Sequence, residues 1–191
     1  MDADGLTFAV VTTAEERVAK RLGLPTVRVG IATANGVPAG KLVSFGLAGS
    51  LGELRIGEVL DATRVVDESG STLWEGPGLG VRGARAGVVL GCGDLVHDAT
   101  ERARLREASG ADAIDMESGA LARSGRLAGV VRAISDDAGS PIEGVERTVH
   151  ADGRTNVVGL VRWTASRRGN ALRAMRDALR ALRALEEAVA T

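Results

Sequence analysis

Two short apolar runs near the middle of this 191-residue chain each end in acid. Ile114 leads into Asp115-Met116-Glu117, and residues 130–134 (Val-Val-Arg-Ala-Ile) lead into Ser135-Asp136-Asp137. Carboxylates brought together at one edge suit the cleavage of a glycosidic bond. That reaction builds positive charge on the sugar and negative charge on the leaving group. One carboxylate can hold the sugar hydroxyls while another protonates the departing group. The same acids also have a purely local reading, as helix caps and turn residues at strand ends.

The elements around these acids would have to position them. Short β-prone runs between turn signals read as strands, and residues 118–127 read as a short helix between them. A strand-helix-strand unit is normally parallel, which would bring both acidic ends to one sheet edge, the edge where α/β proteins bind ligands. Upstream, residues 6–11 form a β-prone run, and Thr12-Thr13 can cap a helix over residues 14–22 with Glu15 and Glu16 in its first turn. Residues 26–31 and 41–46 read as strands. The breaker-rich segment between them, near residues 30–43, is too short for a full crossover helix. A Gly- and Ala-rich strand end follows (Gly46-Leu47-Ala48-Gly49), then a strand ending near Asp67. Residues 69–85 read as a Gly-rich loop. Gly78, Gly80 and Gly83 spell GxGxxG there, but no strand precedes them and no convincing helix opens from them, so the dinucleotide context is missing. Residues 86–90 read as a strand, and residues 99–109 as a helix with Asp98 and Glu101 in a capping-box-like start.

Beyond spacing, the wording of two segments is informative. Asp115-Met116-Glu117-Ser118 followed by small residues, then Arg132-Ala133-Ile134-Ser135-Asp136, resembles the purine and uridine phosphorylase superfamily, which includes the methylthioadenosine/S-adenosylhomocysteine nucleosidases. The resemblance covers most of the chain and implies cleavage of the N-glycosidic bond of a purine, adenosine-type nucleoside; hydrolysis is preferred to phosphorolysis, which stays open, because the sequence holds no clear phosphate cradle. It implies roles residue by residue. Glu117 would accept hydrogen bonds from the ribose hydroxyls, with Met116 beneath the sugar. Asp136, helped by Ser135, would give or share a proton with the purine near N7. Glu15, with Glu16 as its close rival, would activate water. Ala48 and Gly49 would lie beneath the nucleoside, and Leu95 and Val96 would pack on the base. The shortened segment departs from the relatives where phosphorylases build part of their phosphate site. Residues 110–119 and 151–153, Arg167-Arg168 and the Ala/Leu/Arg-rich tail look most like the hopanoid-associated nucleoside phosphorylase-like subgroup, which acts on a lipid-linked adenosine.

Composition excludes several classes. Hydrophobic residues make up 45% of the chain and the net charge is −1, which fits a globular protein and argues against bulk nucleic-acid binding. With two Trp, two Phe and no Tyr, a single-strand stacking platform is disfavoured. The single cysteine, Cys92, reads as a small buried residue and excludes an intramolecular disulfide. His97 and His150 have no ligand partner at metal spacing, so neither metal nor cofactor is expected. No signal peptide or membrane-length apolar run is present, and the expectation is a cytoplasmic protein.

The long C-terminal element, residues 170–190, places Leu172, Met175, Leu179, Leu182 and Val189 at helical spacing, with arginines between them. It reads as a helix packing on the sheet; the competing reading is a basic amphipathic face on a membrane surface. The expected fold is therefore α/β, one domain over residues 1–191, with a central mixed, partly closed sheet flanked by helices. The expected partner is a purine nucleoside, with phosphate added if the reaction is phosphorolytic, and a homo-oligomer, a dimer, is the expected assembly. The alternatives are a relative that binds a nucleoside without cleaving it, or an interaction protein that uses the Arg-rich helix.

Overall fold

The first strand, β1 (Leu6–Val10), buries its last three residues completely and is followed by α1 (Thr13–Arg21). The computed structural model describes residues 5–138, 148–166 and 168–190. The Ser140-Pro141 loop and Arg167 lie outside them. Next come β2 (Thr26–Arg28), a 3-10 turn (Ile31–Thr33) and β3 (Lys41–Ser50). β1 pairs in parallel with both β2 and β3. The short segment expected before residue 43 thus holds one tight turn in place of a crossover helix.

β4 (Val59–Val66), β5 (Thr72–Glu75) and β6 (Arg85–Gly91) extend the sheet. α2 (Ala99–Ser109), β7 (Ala113–Asp115), α3 (Ser118–Arg123) and β8 (Leu127–Asp136) complete the part that carries the acids. β3, β8, β4, β6 and β7 are hydrogen-bonded in a closed circuit, β7 returning to β3. The mixed, partly closed sheet expected from the sequence is therefore observed. One core cluster fills the space around Leu42, Leu60, Val130 and Ile134, and a second lies beneath Phe8 and Phe45. Those two rings meet edge to face at 5.6 Å, a geometry worth about 0.5–1.5 kcal/mol beyond burial.

Three expectations are corrected. β7 and β8 are not a parallel pair: β8 runs parallel to β3, and β7 runs antiparallel to it. The link between them is shorter than the roughly twelve residues that a parallel crossover requires. The residues 69–85 region is not all loop, because β5 forms there and pairs antiparallel with β4. Its Leu73 and Trp74 pack on the core from a sequence with little alternation to announce it.

The third correction concerns the C-terminal helices, α4 (Val157–Ser166) and α5 (Arg168–Val189). α5 packs inward with Ala171, Ala174, Ala181 and Leu185, while Leu172, Met175 and Leu179 are exposed. The helix carries two apolar stripes, and the alanine stripe allows closer approach to the neighbouring elements than leucines would. Leu182 and Val189 are partly buried at the edge of the second cluster. No described helix is long and apolar enough to cross a membrane.

Candidate active site

The acids converge on β3. Gly49 pairs with Ile114 of β7 and with Asp136 of β8, so the ends of both acid-bearing strands flank one residue. Parallel strands were expected to achieve this convergence; β3 achieves it by pairing with each strand in opposite sense. A cavity of about 240 Å³ opens here, somewhat smaller than the ~300–1,000 Å³ typical of small-molecule sites.

At one end of the cavity lies Glu15. It is buried at the start of α1 because it completes a capping box: Thr12 Oγ1 accepts from Glu15 N at 3.3 Å, and Thr12 N donates to Glu15 Oε2 at 2.7 Å. Val11 N and Thr12 Oγ1 donate to the same oxygen, and Leu47 N donates to Oε1 at 2.8 Å. A β-carbon at position 46 would lie 2.2 Å from Glu15 Oε1, so glycine is needed for the carboxylate to reach β3. Glu16 points elsewhere, pairing with Arg28 and, at 2.6 Å, with Lys20, and these contacts hold its carboxyl below its ordinary value. Between the rival glutamates, only Glu15 lines the cavity.

The middle of the cavity holds Met116 and Glu117. Behind them stands Arg132, fully buried within the apolar run of β8. Its Nε lies 2.7 Å from Asp115 Oδ2, and its Nη2 donates to Ser44 Oγ at 2.6 Å and lies 3.6 Å from Glu117 Oε2. Asp115 Oδ1 in turn accepts from the backbone of Glu117 and Ser118, and Ser118 Oγ donates to Oδ2, which fixes the turn that carries Glu117. Ala32 N donates to Glu117 Oε1 at 3.0 Å from the 3-10 turn, where Ala32 and Thr33 adopt positive φ. A left-handed alanine is strained by about 1 kcal/mol or more, and the turn holds it so that this N–H reaches the glutamate.

One guanidinium thus serves several carboxyls, and the balance shows at Glu117. Burial raises its carboxyl to about 8; Arg132 opposes the shift and Asp115 adds to it. This has a consequence for stability. An unfolded glutamate releases its proton near 4.5, so between about 4.5 and 8 the native state retains a proton that the unfolded chain has lost. Stability therefore falls as pH rises through that window, by up to about 5 kcal/mol for a shift of this size. Melting temperatures measured from pH 5 to 9 are expected to decline for the wild type and to decline less steeply for Glu117→Gln. Parallel curves for the two proteins would refute the assignment.

The far end of the cavity holds Ser135 and Asp136, with Ala48 and Gly49 lining one side and Leu95 and Val96 the other. Leu95 is 38% exposed. Ser135 Oγ lies 3.0 Å from Asp136 Oδ1, and Arg102 Nη2 lies 2.6 Å from Asp136 Oδ2. Burial raises the Asp136 carboxyl, with Arg102 pulling against it. Near the cavity rim, residues 148–153 close the structure: Ala151 O accepts from Ile31 N and Gly153 O accepts from Thr13 N.

All nine residues singled out from the sequence line this one cavity: Glu15, Ala48, Gly49, Leu95, Val96, Met116, Glu117, Ser135 and Asp136. Arg102 was not among them, and Arg132 was singled out only as part of the motif wording. Signals for both exist. Arg102 shares a helical face with Leu105 and Ser109, all buried. Arg132 interrupts an apolar strand, and a cation there requires a buried partner. Cys92 is buried as expected, and burial pushes its thiol up to about 11. Among the described residues no cluster of three His, Cys, Asp or Glu side chains is arranged to hold a metal ion.

No protein-family model matches the chain, and no curated protein does. Solved structures do. A 5′-methylthioadenosine/S-adenosylhomocysteine nucleosidase from Helicobacter pylori superposes with a TM-score of 0.57 at 17% identity, over 99% of each chain. The enzyme of the same name from Campylobacter jejuni gives 0.51 at 18% identity, over 96% of this chain and 99% of that one. A futalosine hydrolase from H. pylori gives 0.52 at 15%, over 93% and 97%. None of these three is a hopanoid-associated protein. At this identity the likeness establishes the fold, and the resemblance read from the sequence holds at that level: this chain is built on the α/β frame of these nucleosidases.

Proposed function

We propose that this protein hydrolyses the N-glycosidic bond of a purine nucleoside of the adenosine type. The observation that carries the proposal is the convergence of Glu15, Glu117 and Asp136 on a single cavity. They arrive from three separate parts of the chain, and this reading assigns one each to the sugar, the attacking water and the leaving base. Glu117 and Met116 hold the ribose. Glu15 orients and deprotonates the water. Asp136, with Ser135, faces the departing base and shares a proton with it.

Hydrolysis is favoured over phosphorolysis by the way Glu15 is held. The N–H groups of Val11, Thr12 and Leu47 donate to the chain's own carboxylate. A phosphate arriving at this end would meet negative charge and no free donors among those three. A carboxylate offers about four acceptor sites, and Oε1 accepts one hydrogen bond, so it retains a site for water.

The test is release of free base, followed by chromatography, from adenosine, inosine, methylthioadenosine, S-adenosylhomocysteine and a 5′-alkyl adenosine, each with and without phosphate. Release without phosphate is expected. Release that strictly requires phosphate would replace hydrolysis by phosphorolysis. Binding of a nucleoside with no release of base from any of them would overturn the catalytic reading in favour of a binding protein.

A further inference from the structure

The outer face of α5 carries three apolar side chains that the described residues leave uncovered. Leu172 is 63% exposed, Met175 39% and Leu179 53%. Spaced three and four apart, they form one stripe along the helix, separate from the Ala171, Ala174, Ala181 and Leu185 stripe that packs inward. Arginines stand beside them. Arg176 and Arg183 follow Leu172 and Leu179 by four residues, which places each next to its leucine on the same face. Arg180 continues the row. Its stem lies over the bare backbone of Gly57, where a β-carbon would sit 3.2 Å from Arg180 Nε.

The charges on this face are out of balance. Between Leu172 and Arg183 the chain has four arginines and one acid, Asp177, which is buried. Arg173 and Arg176 each lie 3.6 Å from it, whereas Arg180 and Arg183 have no ion-pair partner among the described residues. Glu186 is taken by Arg21 at 2.7 Å, so Glu187 is the one acid left to border the face. The whole chain has a net charge of −1, which makes this a local excess of cations. Among the described residues that border the face, Gly57 alone lies outside α5. The surface is therefore one helix face, with no opposite wall to grip a peptide or a second helix. A second copy of the chain would set the arginines against themselves, and like charges opposed across a two-fold contact weaken it.

We propose that this face of α5 docks the protein on an anionic lipid bilayer. Leu172, Met175 and Leu179 enter the boundary between headgroups and acyl chains. Arg176, Arg180 and Arg183 lay their apolar stems along that boundary while their guanidinium groups meet lipid phosphates. A planar guanidinium can hold a phosphate through two parallel hydrogen bonds. Three apolar side chains and three arginines make a reversible contact, one that depends on anionic lipid and weakens with salt. The inference goes beyond the proposed reaction and does not depend on it, because the face is separate from the cavity that holds Glu15, Glu117 and Asp136.

Flotation of the 191-residue chain with lipid vesicles tests this. Vesicles of phosphatidylcholine alone would be compared with vesicles that also hold phosphatidylglycerol, at low and at high sodium chloride. Wild type is expected to float with the phosphatidylglycerol vesicles, to stay behind with phosphatidylcholine alone, and to be released by salt. The double variant Arg180→Gln, Arg183→Gln should bind roughly 25-fold more weakly, about fivefold for each charge lost. The double variant Leu172→Ser, Leu179→Ser keeps the charges and should also lose most of the binding. All four positions are exposed, so both variants should keep the wild-type melting curve. Equal binding to the two kinds of vesicle, or binding to neither, overturns the proposal. So does unchanged binding in both variants. A wild-type dimer in sedimentation that is lost in the leucine variant, with no vesicle binding, would assign the face to a second copy. An acidic amphipathic peptide that binds the face where vesicles do not would assign it to a protein partner. Either result overturns the lipid reading.

Discussion

Glu15→Gln is expected to lower base release by about 10²–10⁴-fold, the usual contribution of a general base. The amide cannot accept a proton from water. It also disturbs the site it came from. Glu15 accepts from Val11 N, Thr12 N and Leu47 N through its two oxygens. A glutamine replaces one of those acceptors with an NH₂ group, setting donor against donor at a buried position. That mismatch costs about 1–3 kcal/mol, so the variant should also melt earlier. The two effects separate in one experiment: single-turnover rates at a temperature where circular dichroism shows both proteins folded. Glu16→Gln is the control, since Glu16 faces Arg28 and Lys20 outside the cavity; its rate should match the wild type. A Glu15→Gln variant that is folded and as fast as the wild type would remove Glu15 from the mechanism.

Arg132→Met should produce the largest loss of stability, about 3–5 kcal/mol, the cost of breaking a buried ion pair from one side. The methionine would fill much of the space. It would leave Asp115 facing Glu117 with no cation between them, in a region where both side chains are almost wholly inaccessible. Leu47 O would lose a donor as well. For a domain of this size, each kcal/mol lowers the melting temperature by about 2–4 °C, so a fall of roughly 6–20 °C is expected. Adding Asp115→Asn should recover part of the loss, because it removes the charge left uncompensated. Urea denaturation of the two variants and the wild type checks both steps. A loss below about 1 kcal/mol in Arg132→Met would mean that the guanidinium does not balance these carboxyls.

The readings that succeeded from sequence were those whose physics is local. Asp98 caps α2 through Glu101 N at 2.8 Å, as its position before an alanine- and arginine-rich stretch implied. The box stays half complete, because Glu101's carboxylate pairs with Arg104 instead. Thr12 and Glu15 interact across three residues, so the start of α1 and the presence of a glutamate there were legible. The acid-terminated runs and their wording identified Met116, Glu117, Ser135 and Asp136, and a family resemblance extended the list to Ala48, Gly49, Leu95 and Val96. All of them line one cavity.

Other features depended on partners far away in the chain. Glu15 and Glu16 are neighbours with the same side chain, and composition cannot rank them. On a helix they point about 100° apart, and the positions of β3 and of Arg28 on β2 decide which one faces the cavity. The exposed leucine stripe of α5 has the same cause: Leu172 and Ala171 both continue a helical period, and the close approach of the helix to its neighbours selects the alanines. The direction of β7 followed from pairing with β3, which no local pattern records. By itself the sequence determined the α/β class, the acids and the local caps, because periodicity, capping and motif wording act within a few residues. The tertiary structure alone decided that Arg132 balances Asp115 and Glu117 and that Arg102 reaches Asp136 from α2, because a buried charge is placed by whichever distant backbone and carboxylate can satisfy it.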